Sequence, residues 1–231
     1  RVHILILCGG KGERLRPFTD DTPKPLIKIN DKPILGYIID HIHSFGFKKI
    51  IIATGYQSHK ISEFIDEKYA DSGITLSDHG DVDIVERIKS IIPSIDDDLI
   101  VMYGDTISNV NLNDLINFSS KHEESITVTL WPLHSQFGVI ETDSNNRVIS
   151  YQEKPILDKW INIGYFYFKN RGLQHFKDFH TYENFLTNMI DQGHVVGFKH
   201  KGDHVTVNTV NELREAQVKI EKLFNRKNKD K

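Results

Sequence analysis

Three glycines in four positions, Gly9, Gly10 and Gly12, follow an apolar run from Val2 to Leu7 and precede Arg14 and Arg16. The run is too short for a helix and reads as a buried strand. A backbone stripped of side chains where a strand ends can turn tightly and aim its N–H groups at an anion. Arg14, Arg16 and Lys24 add fixed positive charge, and a guanidinium can grip two phosphate oxygens at once. The chemistry open to such a set is to cradle a polyphosphate at the carboxyl end of a strand, where open α/β sheets take ligands.

A glycine loop alone is weak evidence, because tight turns use glycine for purely conformational reasons. The dinucleotide fingerprint fails, since Leu15 stands where its third glycine belongs, and no Gly-Lys-Ser/Thr completes a P-loop. The combination of Gly-Gly-x-Gly-x-Arg-Leu with Pro23-Lys24-Pro25-Leu26 is more specific. That pair resembles the signature of the sugar-1-phosphate nucleotidyltransferases. The resemblance implies that Arg14 and Lys24 are catalytic, and that Leu7, Cys8, Gly9, Gly10, Lys11 and Gly12 bind a nucleoside triphosphate.

Asp105 ends a second apolar run after Gly104. A carboxylate there can hold Mg²⁺ against triphosphate oxygens, although Asp after Gly serves equally well as a turn residue. Tyr103-Gly104-Asp105, followed by Ser108, Val110 and Asn111, resembles the family's metal-binding segment, most closely in glucose-1-phosphate cytidylyltransferases. Tyr151-Gln152-Glu153-Lys154-Pro155 is similar to the family's Glu-Lys-Pro motif, which implies that Lys154 holds the acceptor's phosphate beside Glu153. An isolated lysine is more often a solvated surface charge. Asn162, Gly164 and Glu183 match positions that bind the acceptor's hydroxyls, and Gln136-Phe137-Gly138 resembles the segment opening the acceptor lobe.

Two departures matter. Where the family has a second metal carboxylate before the last helix, this chain has Asn208, which offers an amide oxygen but no charge. Where cytidylyltransferases carry Thr-Gly-Gly-Arg, this chain has Asp83-Ile84-Val85-Glu86-Arg87, so Arg87 survives and the glycines do not. Gly80 and Asp81 keep the preceding turn. The resemblance thus implies nucleotide contacts at Gly80, Asp81, Arg87 and Gly104, and metal contacts at Asp105 and Asn208.

These residues need elements to position them. Apolar residues at helical spacing predict helices over Pro33–Phe45, Ser58–Asp66, Val82–Ile92, Asn113–His122, Tyr182–Gln192 and Val210–Phe224. Short β-rich runs predict strands at Ile50–Ala53, Ile74–Ser77, Leu99–Tyr103, Ile126–Trp131, Val139–Thr142, Val148–Gln152, Ile161–Phe168, Val195–His200 and Val205–Val207. The alternation argues for an α/β fold with a doubly wound, mostly parallel, Rossmann-like sheet, continuous with an α+β acceptor-binding portion. One nucleotidyltransferase domain over 1–231 is expected, with 1–112 mainly nucleotide-binding and 113–231 mainly acceptor-binding. The charged tail from Asn225 to Lys231 is expected to fray.

A net charge of −3 implies no nucleic-acid partner. No apolar run approaches a membrane span and no signal peptide is visible; the chain opens on Arg1, so an upstream N-terminus is expected. A single cysteine, Cys8, excludes an internal disulfide framework and suits the cytoplasm, and it reads as a packing residue rather than a nucleophile. Oligomeric state is not legible.

The expected reaction is transfer of CMP from CTP to a phosphorylated small molecule, with Mg²⁺ as cofactor and pyrophosphate as the other product. The chain is similar also to the CTP:phosphoglutamine cytidylyltransferases of capsule phosphoramidate synthesis, which implies L-glutamine phosphate as the acceptor. Val85 and Glu86, in a helix running from Val82, are expected to narrow the acceptor pocket and disfavour a hexose phosphate. An ordinary hexose-1-phosphate cytidylyl-, guanylyl- or thymidylyltransferase, or a non-catalytic nucleotide-binding module, stands as the alternative.

Overall fold

The structure is a computed structural model and describes residues 2–225, so all but the first residue of the expected charged tail lies outside the described residues. In chain order the strands are β1 (Val2–Cys8), β2 (Lys28–Ile29), β3 (Lys32–Pro33), β4 (Ile50–Thr54), β5 (Thr75–Asp78), β6 (Asp98–Tyr103) and β7 (Thr106–Ser108). They continue with β8 (Ile126–His134), β9 (Val139–Thr142), β10 (Val148–Gln152), β11 (Ile156–Phe168), β12 (Val195–Lys199) and β13 (His204–Thr206). The helices are α1 (Ile34–Ser44), α2 (Ser58–Tyr69), α3 (Ile84–Ile91), α4 (Leu112–Ser120), α5 (Asn170–Leu173), α6 (Tyr182–Asp191) and α7 (Val210–Asn225).

Among the described residues the main sheet has the order β12-β8-β11-β6-β1-β4-β5. Only β11 runs against the other strands, pairing antiparallel with both β6 and β8. The first half is therefore a parallel sheet with β1 at its centre, between β4 and β6.

Alternation along β1 decides which layer each residue joins. Ile4, Ile6 and Cys8 enter a core with α1, α2, α4 and α7. Leu5 enters the opposite core with α3, α5 and α6. Ile4, Leu5 and Ile6 are fully buried, which is why the strand reads as a continuous apolar run. Helices thus cover both faces, the doubly wound arrangement expected.

The departures are local. Helix α3 begins at Ile84 rather than Val82, because Asp83 caps it by accepting a hydrogen bond from the Val85 amide at 2.9 Å. Strand β11 begins five residues before the expected Ile161, in a segment that pairs Ile156 with His134 and Trp160 with Pro132. Strand β7 was not expected; it pairs antiparallel with β13 and sets Thr106 opposite Thr206.

The ends of β1 and β6 meet at Gly104, whose amide donates to the Leu7 carbonyl at 2.9 Å. A Cβ on Gly104 would lie 2.6 Å from both Cys8 Sγ and the Leu7 oxygen. Gly104→Ala is therefore expected to lower unfolding free energy by about 1–3 kcal/mol, the range for overpacking, as read by urea denaturation.

Candidate active site

The glycine loop is held by its own return. Gly12 takes φ 63°, a left-handed conformation suited to glycine, and a 3-10 turn over Glu13–Leu15 buries Leu15 completely. Thr19 donates to the Gly12 carbonyl at 2.7 Å, and Tyr56 donates to the carbonyls of Thr19 and Asp20 at 3.0 Å. A second 3-10 turn, Lys24–Leu26, starts after Pro23 and brings Lys24 beneath the loop, where the residue is 9 % exposed.

Lys24 Nζ donates to Asp105 Oδ2 at 2.8 Å and to Asn208 Oδ1 at 2.7 Å, while Arg14 Nη2 lies 3.4 Å from that same amide oxygen. Four residues from four segments therefore converge. Asp105 is placed by the β6–β7 junction, with Thr106 donating to its Oδ1 at 3.2 Å. Asn208 is placed by the start of α7. Glu212 Oε2 accepts from the amides of Asn208 (2.6 Å) and Thr209 (3.2 Å), and Thr209 Oγ1 accepts from the Glu212 amide, which is a capping box.

Asp105 and Asn208 thus bring two oxygens together around the Lys24 ammonium. Among the described residues there is no group of three or more His, Cys, Asp or Glu able to hold a metal. One carboxylate and one amide oxygen still suit Mg²⁺, which keeps several waters and completes its shell with substrate phosphates.

Beside this cluster lies a cavity of about 390 Å³, lined by Leu7, Gly9 and Gly10 on one side and Asp81–Ile84 on the other, with Arg87, Tyr103 and Asp105. Across it Lys11 Nζ pairs with Asp81 Oδ2 at 2.9 Å. That hydrogen bond holds the Asp81 carboxyl below the usual carboxylate range. Arg87 is 5 % exposed and spends its nitrogens on the backbone carbonyls of Thr54, Gly80 and Val82. Cys8 is 1 % exposed, and burial pushes its thiol well up, as befits a packing residue.

The expectation for Val85 and Glu86 is overturned. Val85 is fully buried in the core, and Glu86 turns away to bond His180 Nδ1 (2.8 Å) and Lys89 Nζ (3.1 Å). The reason is the phase of α3, whose apolar stripe carries Val85 with Ile88 and Ile91 into that core. Asp81 and Asp83 supply the carboxylates there instead.

The expected acceptor residues fall into two groups. Asn162 donates to the Tyr182 hydroxyl at 2.9 Å and accepts from the Gly164 amide at 2.7 Å, and Tyr103 bonds both Tyr182 and Asn162. Gly164, at φ 80°, lets Tyr103 approach; a Cβ there would sit 2.4 Å from its ring. Glu183 is exposed in the first turn of α6. The second group lies at the β9–β10 hairpin, where Gly138 packs under the Tyr151 ring and Glu153 accepts from the Tyr151 hydroxyl. Lys154, left-handed at φ 43°, lines a cavity of about 530 Å³ with Trp131, His134, His204, Thr206 and Thr209.

Sequence reasoning missed that second cavity's wall. Trp131 stacks on His134 at 4.1 Å and meets the edge of His204 at 4.3 Å. These residues come from distant segments, and aromatic residues in strands ordinarily pack cores. The missed Tyr103–Tyr182–Asn162 network has no local signature either.

The chain belongs to the nucleotidyl transferase family, whose model matches residues 3–217. It is a nucleotidyltransferase enzyme, similar to sugar-1-phosphate nucleotidyltransferases. It is 29 % identical, over 97 % of its length and 96 % of the relative's, to the Bacillus subtilis protein named "Probable glucose-1-phosphate cytidylyltransferase". It is also 29 % identical to the D-glycero-alpha-D-manno-heptose 1-phosphate guanylyltransferase of Campylobacter jejuni, over 80 % of this chain and 82 % of that one. In fold it is similar to HddC from Yersinia pseudotuberculosis, with a TM-score of 0.74, 21 % identity and coverage of 94 % and 99 % of the two chains. Among the described residues no helix is long and apolar enough to cross a membrane.

Burial, then the positive charges of His200, His134 and Lys219, pull the His204 pKa down to about 4. The unfolded chain therefore binds an extra proton between about pH 6.5 and 4. The contribution of His204 is complete above pH 6.5 and is lost as pH falls toward 4. His204→Gln is expected to flatten acid destabilisation over that window in a denaturant series against pH.

Proposed function

We propose that the enzyme transfers CMP from CTP to a phosphorylated small molecule, with Mg²⁺ as cofactor. The observation that carries nucleotidyl transfer is the convergence of Arg14, Lys24, Asp105 and Asn208 under the glycine loop. An acceptor phosphate oxygen attacks the α-phosphorus, the bond from that phosphorus to the bridging oxygen breaks, and pyrophosphate leaves with the electron pair. The acceptor is already an anion at neutral pH, so no general base is required and catalysis rests on positioning and charge neutralisation. The loop amides of Gly9, Gly10 and Gly12 with Arg14 hold the β- and γ-phosphates. Lys24 takes the α-phosphate and the incoming oxygen, and Lys154 takes the acceptor's phosphate. When bound, Mg²⁺ at Asp105 and Asn208 neutralises charge on the triphosphate.

The division of labour along the chain has support in the cavities. The one beside the glycine loop is lined by residues up to Asp105, and the one holding Lys154 by residues from Trp131 onward. CTP is favoured by the full-length similarity to the Bacillus subtilis protein. For the acceptor we infer an amino-acid phosphate such as L-glutamine phosphate. The cavity at Lys154 sets Lys154 beside the Lys219–Glu215 ion pair (3.5 Å) and the capping Glu212, a lining of both signs that suits a molecule bearing an anion and an ammonium. The substrates and the single cysteine fit a cytoplasmic enzyme.

Asp105→Ala is expected to cut turnover at least about a hundredfold, the scale of losing one preorganised electrostatic group, and also to lower the melting temperature, because buried Lys24 loses its carboxylate partner. Near-normal turnover at saturating Mg²⁺ would remove Asp105 from the site. Asn208→Asp should lower the Mg²⁺ concentration for half-maximal rate by adding a carboxylate beside Asp105.

Pyrophosphate release with each of the four ribonucleoside triphosphates, crossed with L-glutamine phosphate and glucose 1-phosphate, tests both substrates. CTP with L-glutamine phosphate is expected to be the best pair. Efficient CDP-glucose formation would return the chain to the hexose branch.

A further inference from the structure

A buried charge is ordinarily stabilised by an opposite one. Arg87 is 5 % exposed, yet among the described residues its guanidinium forms no ion pair. Instead Nε donates to the Val82 carbonyl at 3.1 Å, Nη1 to Thr54 at 3.2 Å and Nη2 to Gly80 at 3.0 Å. Those carbonyls lie at the end of β4 and in the wall of residues 80–82. The guanidinium head itself fills the space left by Gly9, since a Cβ on that glycine would fall 1.2 Å from Nη1 and 1.9 Å from Cζ. Gly55 closes the same packing, with a Cβ position 3.0 Å from the Gly9 oxygen and 2.8 Å from the Gly80 oxygen. One planar fork therefore joins the glycine loop, β4 and the opposite cavity wall. A lysine, with a single ammonium on a flexible stem, could not make the three divergent bonds.

We propose that Arg87 is a positioning residue, with Gly9 as its seat. The pair acts as one unit that sets the distance between the two walls of the cavity of about 390 Å³, and hence its fit to the nucleotide. This rests on the reading of that cavity as the nucleotide site. It moves Arg87 from a ligand contact to a brace, and it gives Gly9 a reason for being glycine that differs from its backbone freedom. Gly9→Ala expels the brace, and Arg87→Ala removes it and leaves three carbonyls without their donors.

The test is a double-mutant cycle on Gly9→Ala and Arg87→Ala, read by KM for CTP, kcat for pyrophosphate release and melting temperature. Each single change is expected to raise KM about tenfold or more with a smaller effect on kcat, the scale of leaving buried polar groups unpaired. Gly9→Ala should then cost less than about twofold in the Arg87→Ala background, because its methyl enters vacated space. Equal costs in both backgrounds would overturn the proposal, as would a lowered melting temperature with unchanged KM. Arg87→Lys keeps the charge and loses the fork; recovery of wild-type KM there would also overturn it. If Arg87→Ala fails to fold, the cycle is run on Arg87→Lys. Amide hydrogen exchange in the ligand-free protein gives a readout independent of nucleotide. Arg87→Lys should speed exchange in 9–12 and 79–83, and unchanged protection there rejects the brace. A wild-type protein that binds none of the four nucleoside triphosphates would instead reject the nucleotide reading.

Discussion

A single ammonium organises the candidate active site. Lys24 Nζ sits within 2.8 Å of two oxygens whose backbones are far apart in the chain, at Asp105 and Asn208. Its side chain is more buried than that of Asp105, so the charge is held in place by the protein rather than by solvent. A lysine so placed needs anionic or amide partners, because an uncompensated buried ammonium costs several kcal/mol. The fold supplies them through two short devices, the β7–β13 pairing and the capping box that opens α7. The three links are mutually dependent. The ladder fixes Thr206 and hence Asn208, the cap fixes the amide, and the lysine ties both to the end of β6.

How much of this was legible in the sequence depends on whether the signal is local. The apolar run of β1, the glycines after it and the Pro-Lys-Pro return are contiguous, so their chemistry could be read before any fold was known. Helices α1 and α7 were clear for the same reason; each buries one stripe at helical spacing. Strand β7 was invisible because Thr106–Ser108 is three residues long and follows a turn, and only its partner β13 makes it a strand. The start of α3 was misplaced by two residues because Val82 fits the apolar spacing, whereas Asp83, the true cap, was passed over. Val85 and Glu86 were expected in the pocket because they stand where relatives have glycines, whereas the apolar stripe of α3 turns Val85 into the core. The wall of Trp131, His134 and His204 had no sequence signal, because nothing in the order of those residues says they meet.

The glycines show how one residue type serves different physics within a few positions. Gly12 is needed for a left-handed turn. Gly104 is needed because β6 passes too close to Leu7 and Cys8 to admit a Cβ. A motif match treats such positions as alike, while the structure separates backbone conformation from close packing. That distinction decides which substitutions can be compensated. A left-handed turn cannot be relieved by changing a neighbour, but a steric seat can be relieved by removing what sits in it.

The charge balance of the cluster follows from the amide at Asn208. Arg14 and Lys24 are cationic, Asp105 is the one carboxylate among the four, and Asn208 is neutral. The four residues thus carry a net positive charge before any cation arrives. With a second carboxylate, as the family resemblance implies for relatives, the same four positions would be neutral, and a divalent ion would be needed to make them attractive to a polyphosphate. Here the attraction is built into the chain, while the field available to hold a cation is weaker, since Lys24 already satisfies Asp105. In the proposed reaction the polypeptide's own charges would therefore attract the triphosphate, and the substrate's oxygens would complete the shell of Mg²⁺.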